Sequence, residues 1–200
     1  IELGNLANGY VQAATATQTS LGQYGLNETD GKVTKSIAVT SAILSTTDQI
    51  KINDVLIGAT VLNTAKAKAE AKAEAINAVS SASGVTAKAS TTMFLDLDFD
   101  ENATDSSFEV NGTAIAVSAL NSVSDVAAAI NTANVGVVAS ASSTGLLKLF
   151  DSAGGNITID LTAPTAYVEA ASDADNTSLT VAANITARGN IELTATDGDF

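Results

Sequence analysis

Apolar and polar positions alternate over several short runs of this chain, a period of two that argues strands. Ile50-Lys51-Ile52, Leu95-Asp96-Leu97, Phe108-Glu109-Val110 and Leu147-Lys148-Leu149 are such runs, and the short apolar stretches Val55-Leu56-Ile57, Met93-Phe94 and Thr113-Ala114-Ile115 also read as strand. Two stretches break the alternation. Val123, Val126, Ala127 and Ile130 recur at i, i+3, i+4 and i+7, one apolar face of a helix, and Ser124-Asp125 is positioned to cap it. Ala65 to Ala75 alternates Ala with Lys or Glu, which taken alone suggests a strand. Ala, Lys and Glu are strong helix formers and weak strand formers, so composition predicts a helix over about residues 64–79. Charge then wraps most of its circumference. Only Ala residues, Ile76 and Val79 remain to dock, and the helix is expected to lie largely exposed on a sheet.

These elements fall into two related halves. Ile52-Asn53-Asp54, Ala75-Ile76-Asn77-Ala78 and Gly84-Val85-Thr86-Ala87 in the first match Val110-Asn111-Gly112, Ala129-Ile130-Asn131-Thr132 and Gly136-Val137-Val138-Ala139 in the second. The spacing from Ile52 to Ile76 is 24 positions, and from Val110 to Ile130 it is 20, a difference that a loop insertion accommodates. Asn-Asp and Asn-Gly sit between apolar runs, where both central turn residues must adopt φ > 0, so each marks a hairpin. The predicted class is α+β, with antiparallel β-sheets, short packed helices and two pseudo-repeated β-β-α-β-β units.

The flanks read as strand. Lys35 to Thr40 is a β-type run behind glycines at Gly22, Gly25 and Gly31, and Ile157–Leu161, Leu179–Val181 and Ile191–Ala195 are expected strands, with Asn176 and Gly189 in their connections. Four segments follow: 1–48 as an N-terminal β segment pairing with C-terminal strands, 49–105 and 106–160 as the two repeats, and 161–200 as a β return. The acidic stretch Asp96 to Asp105 is the expected boundary between the repeats.

Composition narrows function. The 200 residues include no His, Cys or Trp, 37 Ala and 44 Ser or Thr, and the net charge is −13. Disulfides, Cys/His zinc sites and Ser-His-Asp or Cys-His catalysis are thereby excluded. A strongly acidic chain is a poor nucleic-acid binder and is repelled by anionic membranes, so neither is an expected partner. No apolar run reaches the length of a membrane span. Ile1-Glu2-Leu3-Gly4 carries no leader pattern, and both ends look cut from a longer protein.

The strand–Asn-Gly–strand–helix–strand pattern, carried by Val110-Asn111-Gly112-Thr113, Val126 to Asn131 and Gly136 to Ala141, resembles the flagellin IN motif. The first half is similar but has Asp54 where the motif usually has Gly. Asn190 to Gly198 is similar to the strand and Asp-Gly turn that lead flagellins toward their C-terminal helix. The resemblance implies a structural, non-enzymatic role: the surface-exposed outer domain of a bacterial flagellin. It also implies an extracellular location on the flagellum and contacts with other subunits through regions outside this chain. The alternatives are an outer domain of the flagellar cap or a hook-associated protein, and an adhesin or surface-layer binding module.

The candidate sites carry blander readings. Asp96, Asp98 and Asp100 alternate with Leu95, Leu97 and Phe99, as one acidic face of a strand does. A calcium loop starting at Asp96 would need Gly where Glu101 stands and Glu where Ser107 stands. Asn27, Asn102, Asn111, Asn156, Asn176 and Asn184 each open an Asn-x-Ser/Thr triplet, and Thr15 to Ser20 could carry O-linked sugar. Lys66 and Glu70 are spaced as a helical ion pair, and Tyr10, Tyr24 and Tyr167 are too scattered for a pocket. No catalytic, cofactor-binding or metal residue is assigned, and no cofactor is expected.

Overall fold

The computed structural model describes residues 2–3, 33–40, 48–58, 68–99, 107–117, 120–163 and 168–195. The fold is α+β, with mostly antiparallel sheets and a few short helices. The chain forms two compact units, one of residues 1–90, 153–155 and 189–200, the other of residues 91–152 and 156–188.

In the first unit, β1 (Glu2–Leu3) runs parallel to β3 (Lys51–Ile52), which turns antiparallel into β4 (Val55–Leu56). Asn53 and Asp54 make that turn at φ 47° and 63°. A second ladder joins β2 (Val33–Lys35) to β14 (Asn190–Ala195), and β14 to the opening residues of β5 (Val85–Leu97), all antiparallel. Helix α1 (Ala69–Asn77) and the single turn α2 (Ser80–Ser83) precede β5. Ile50, Ile52, Ala69, Ala73, Ile76, Val85, Ile191 and Leu193 belong to one buried cluster.

In the second unit, the later part of β5 lies between β9 (Leu147–Asp151) and β11 (Val168–Asp173), with β8 (Val138–Ala141) beyond β9 and β12 (Ser178–Leu179) beyond β11. A separate sheet runs β13 (Asn184–Ala187), β10 (Ile157–Ala163), β6 (Ser107–Val110), β7 (Thr113–Ala116). Helix α3 (Val123–Ala133) adds Val126, Ala127 and Ile130 to a core cluster that draws on both sheets, through Met93, Leu95, Leu147 and Leu149 and through Phe108, Val110, Ile157 and Ile159.

Four expectations need correction. First, the two strands expected at the end of the first repeat are one 13-residue strand, β5, with odd-numbered positions from Val85 to Leu97 buried. Lys88-Ala89-Ser90-Thr91-Thr92 holds no Gly, Asn or Pro to bend the ladder, whereas Gly145, at φ 85°, lets β8 turn into β9. Second, α1 is a shorter helix than residues 64–79, beginning after extended Lys68 and breaking before α2; residues 64–67 lie outside the described residues. Its exposure is also not as expected: Ala69, Ala71, Lys72, Ala73 and Ile76 are buried. Third, the cap of α3 is Ser122, whose Oγ accepts from the Asp125 amide at 3.2 Å and donates to Asp125 Oδ2 at 2.7 Å. Fourth, the flanks differ from expectation: the strand expected at Lys35 to Thr40 is β2, which ends at Lys35, and residues 37–40 are not strand; the C-terminal flank contains two unexpected strands, β11 and β13, and Val181 lies outside β12.

The compact units also cut across the four segments read from sequence. Their division falls inside β5, between Ser90 and Thr91. Residues 156–188 join the second unit because β10 pairs with β6 and β11 pairs with β5. The Asp-Gly turn at Asp197-Gly198 lies outside the described residues.

Candidate functional site

The features shared by the two repeats are asparagine clasps. At the end of α1, Asn77 Oδ1 accepts from the Ala87 amide at 2.7 Å and Asn77 Nδ2 donates to the Ala87 carbonyl at 2.8 Å. At the corresponding place in α3, Asn131 makes the same pair of bonds with Ala139, each 2.8 Å long. A side-chain amide here imitates a neighbouring strand, satisfying both backbone groups of one residue. For Ala139 this occupies the side of β8 not paired with β9, which keeps that edge from presenting a free template.

A second clasp anchors each hairpin. Asn53 Nδ2 donates to the Ser83 carbonyl at 2.8 Å, and Asn111 Nδ2 donates to the Val135 carbonyl at 3.0 Å. In both repeats the accepting residue immediately precedes a glycine in the left-handed region, Gly84 at φ 67° and Gly136 at φ 81°. Asn111 Oδ1 also accepts from the Thr158 amide at 3.0 Å, tying the turn to β10.

Superposing Asn77 on Asn131 by sequence places Ala69, Lys72, Ala73 and Ile76 opposite Val123, Val126, Ala127 and Ile130. One spacing thus sets both docking faces, with Lys72 standing where the second repeat has Val126. Lys72 is 1 % exposed, so its stem is buried, and its Nζ donates to the Thr40 carbonyl at 2.7 Å. Sequence reasoning missed Lys72 because a charged residue was assigned to solvent by type. It also passed over the roles of Asn77 and Asn131, although a polar residue recurring after Ala-Ile in both halves was the available signal.

The sequence candidates do not converge. Asp96 is exposed on β5 between buried Leu95 and Leu97, Asp98 lies past the strand, and Asp100 falls outside the described residues. Among the described residues no three acidic side chains are grouped to hold a metal ion. Of the Asn-x-Ser/Thr triplets, Asn111 and Asn176 stand in turns at φ 51° and 56°, Asn184 is exposed at the start of β13, and Asn156 is half-buried. Asn27, Asn102, Lys66, the three tyrosines and Thr15 to Ser20 lie outside the described residues. Asp173, the one buried acid among the described residues, is a turn-former: its Oδ1 accepts from the Asp175 and Thr177 amides, each at 2.9 Å.

Charge is distributed unevenly. The second unit holds twelve acidic residues against Lys148 and Arg188, a net charge of −10; the first holds ten against seven, a net charge of −3. Exposed Asp96, Asp125, Glu169 and Asp175 all belong to the second unit. Lys148 lies 5.6 Å from the Phe150 ring centroid, an interaction that occupies one of that unit's two cations.

No protein-family model matches the chain, and no curated protein matches it.

Proposed function

We propose that this chain is the surface-exposed outer domain of a flagellin subunit, a structural element of the extracellular bacterial flagellar filament. The observation that supports this reading best is the tandem unit itself. Two hairpin–helix–strand modules have turns at Asn53-Asp54 and Asn111-Gly112, the order that the IN-type resemblance implies, and they also share the clasps of Asn77 and Asn131. The role is one of display. A net charge of −10 on one unit, repeated along a helical polymer, opposes side-by-side association by like-charge repulsion. The effect reaches about 8 Å at physiological ionic strength and farther in dilute salt.

Antibodies raised against residues 91–188 test the assignment by electron microscopy of intact cells. Label along the full length of the filaments supports it. Label confined to filament tips or hook junctions would replace it with a cap or hook-associated protein, and label on the cell body with an adhesin. A charge-neutralised second unit should let purified filaments bundle at lower salt, read by light scattering.

A further inference from the structure

We propose that Asn111-Gly112 is a latent deamidation site held unreactive by the second repeat's hairpin clasp, and that modification there prevents the clasp from closing again. This inference rests on the chemistry of the turn and not on the flagellin reading.

Asn followed by Gly is the pair most prone to cyclise, because glycine has no side chain to shield its amide. The Gly112 nitrogen attacks Asn111 Cγ, the N–Cγ bond forms, the Cγ–Nδ2 bond breaks, and ammonia leaves with the proton from Gly112. One solvent water then opens the succinimide to aspartate or isoaspartate. The site is open to that water: Asn111 and Gly112 are both exposed, and a Cβ built on Gly112 would meet nothing within 4 Å.

Exposure alone would make this turn a weak point. The amide group is nevertheless held at both ends. Nδ2 donates to the Val135 carbonyl at 3.0 Å, and Oδ1 accepts from the Thr158 amide at 3.0 Å and from Thr158 Oγ1 at 3.4 Å. The Asn111 amide nitrogen donates to the Thr158 carbonyl at 2.9 Å, so backbone and side chain are tied to the same residue of β10. For Cγ to swing toward the Gly112 nitrogen, these side-chain bonds must break together, so the reaction waits for local opening of the turn.

The product cannot restore the clasp. Either acid replaces the Nδ2 donor with carboxylate oxygen, an acceptor facing the Val135 carbonyl. Isoaspartate also lengthens the backbone inside a two-residue turn that sets the β6–β7 register. Asn53, the equivalent residue of the first repeat, is followed by Asp54, whose side chain hinders approach of its backbone nitrogen, so cyclisation is slower there.

Peptide mapping by mass spectrometry on the 200-residue chain tests this in mildly alkaline buffer, folded and in urea. In urea Asn111 should deamidate at a rate close to that of Asn8, which also precedes a glycine. In the folded chain the Asn111 rate should fall by roughly tenfold or more, the factor expected from breaking two or three net hydrogen bonds. Folded and unfolded rates within about twofold of each other would overturn the proposal, since a local opening cost must separate them. The variant Asn111→Asp, one of the products, should unfold at lower urea than the parent at neutral pH; an unchanged midpoint would equally overturn it.

Discussion

The two repeats share a plan and differ in how they complete it, and the difference shows which parts of the module are interchangeable. Both have a left-handed turn, a helix ending in an asparagine clasp and a glycine ahead of the next strand. The second repeat completes its docking face with Val126, uses Gly112 in its turn and folds back through Gly145 from β8 into β9. The first buries Lys72, strains Asp54 at φ 63° and runs β5 straight through. The hydrogen-bonding frame is therefore common, whereas side-chain volume, turn strain and the path of the following strand vary around it.

The largest effect is expected where β5 replaces a hairpin. Gly154 has φ 82°, and a Cβ built on it would lie 2.4 Å from Ala89 Cβ, with the Ala89 and Ser90 backbone at 3.1 Å. Gly154→Ala combines left-handed strain with overpacking and should cost about 4 kcal/mol, seen as a large drop in the urea midpoint. Unchanged stability would mean that the straight strand does not constrain the loop above it.

Next comes the Lys72–Val126 contrast. Lys72→Ala should cost about 3 kcal/mol through the cavity it leaves, whereas Lys72→Met keeps the stem and should lose only about 1 kcal/mol with the bond to Thr40. Equal losses in the two variants would show that the charged tip, not the buried stem, carries the stabilisation.

The clasps should weigh alike in both repeats. Asn77→Ala and Asn131→Ala each strand an N–H and a carbonyl and should each cost about 2 kcal/mol by thermal or chemical unfolding. Asn131→Ala should in addition expose the β8 edge and raise concentration-dependent association, measured by sedimentation. A marked inequality in stability would break the equivalence of the two modules.

The smallest effects concern the turns and have opposite signs. Asp54→Gly relieves a left-handed side chain and should stabilise by about 0.5 kcal/mol. Gly112→Ala meets no neighbour, so its cost of about 1 kcal/mol is purely conformational. Differential scanning calorimetry resolves both if the two shifts in Tm are compared directly.

Much of the module was legible from local chemistry. Asn-Asp and Asn-Gly between apolar runs identified both hairpins, and the spacing of Val126, Ala127 and Ile130 identified the buried face of α3. The same spacing was present at Ala69, Lys72, Ala73 and Ile76 and was obscured by the charge on Lys72. The α3 cap is Ser122 rather than Ser124, and its position three residues before Asp125 is the capping-box spacing that the sequence itself carries. No local signal announced β11 or β13, whose alternation is diluted by Ala, Ser and Thr.

By itself the sequence determined the class, the turn positions, the two helical segments and the duplicated order, because each follows from contacts within a few residues. The tertiary structure alone decided that Lys72 is buried, that β5 is continuous, that β10 pairs with β6 and that the compact units divide at Ser90. Those outcomes depend on partners far along the chain: a carbonyl at Thr40, a ladder with β14, a sheet completed after residue 156. The energy of such pairings is set by what they cover and satisfy, and no window of neighbouring residues contains both sides of the contact.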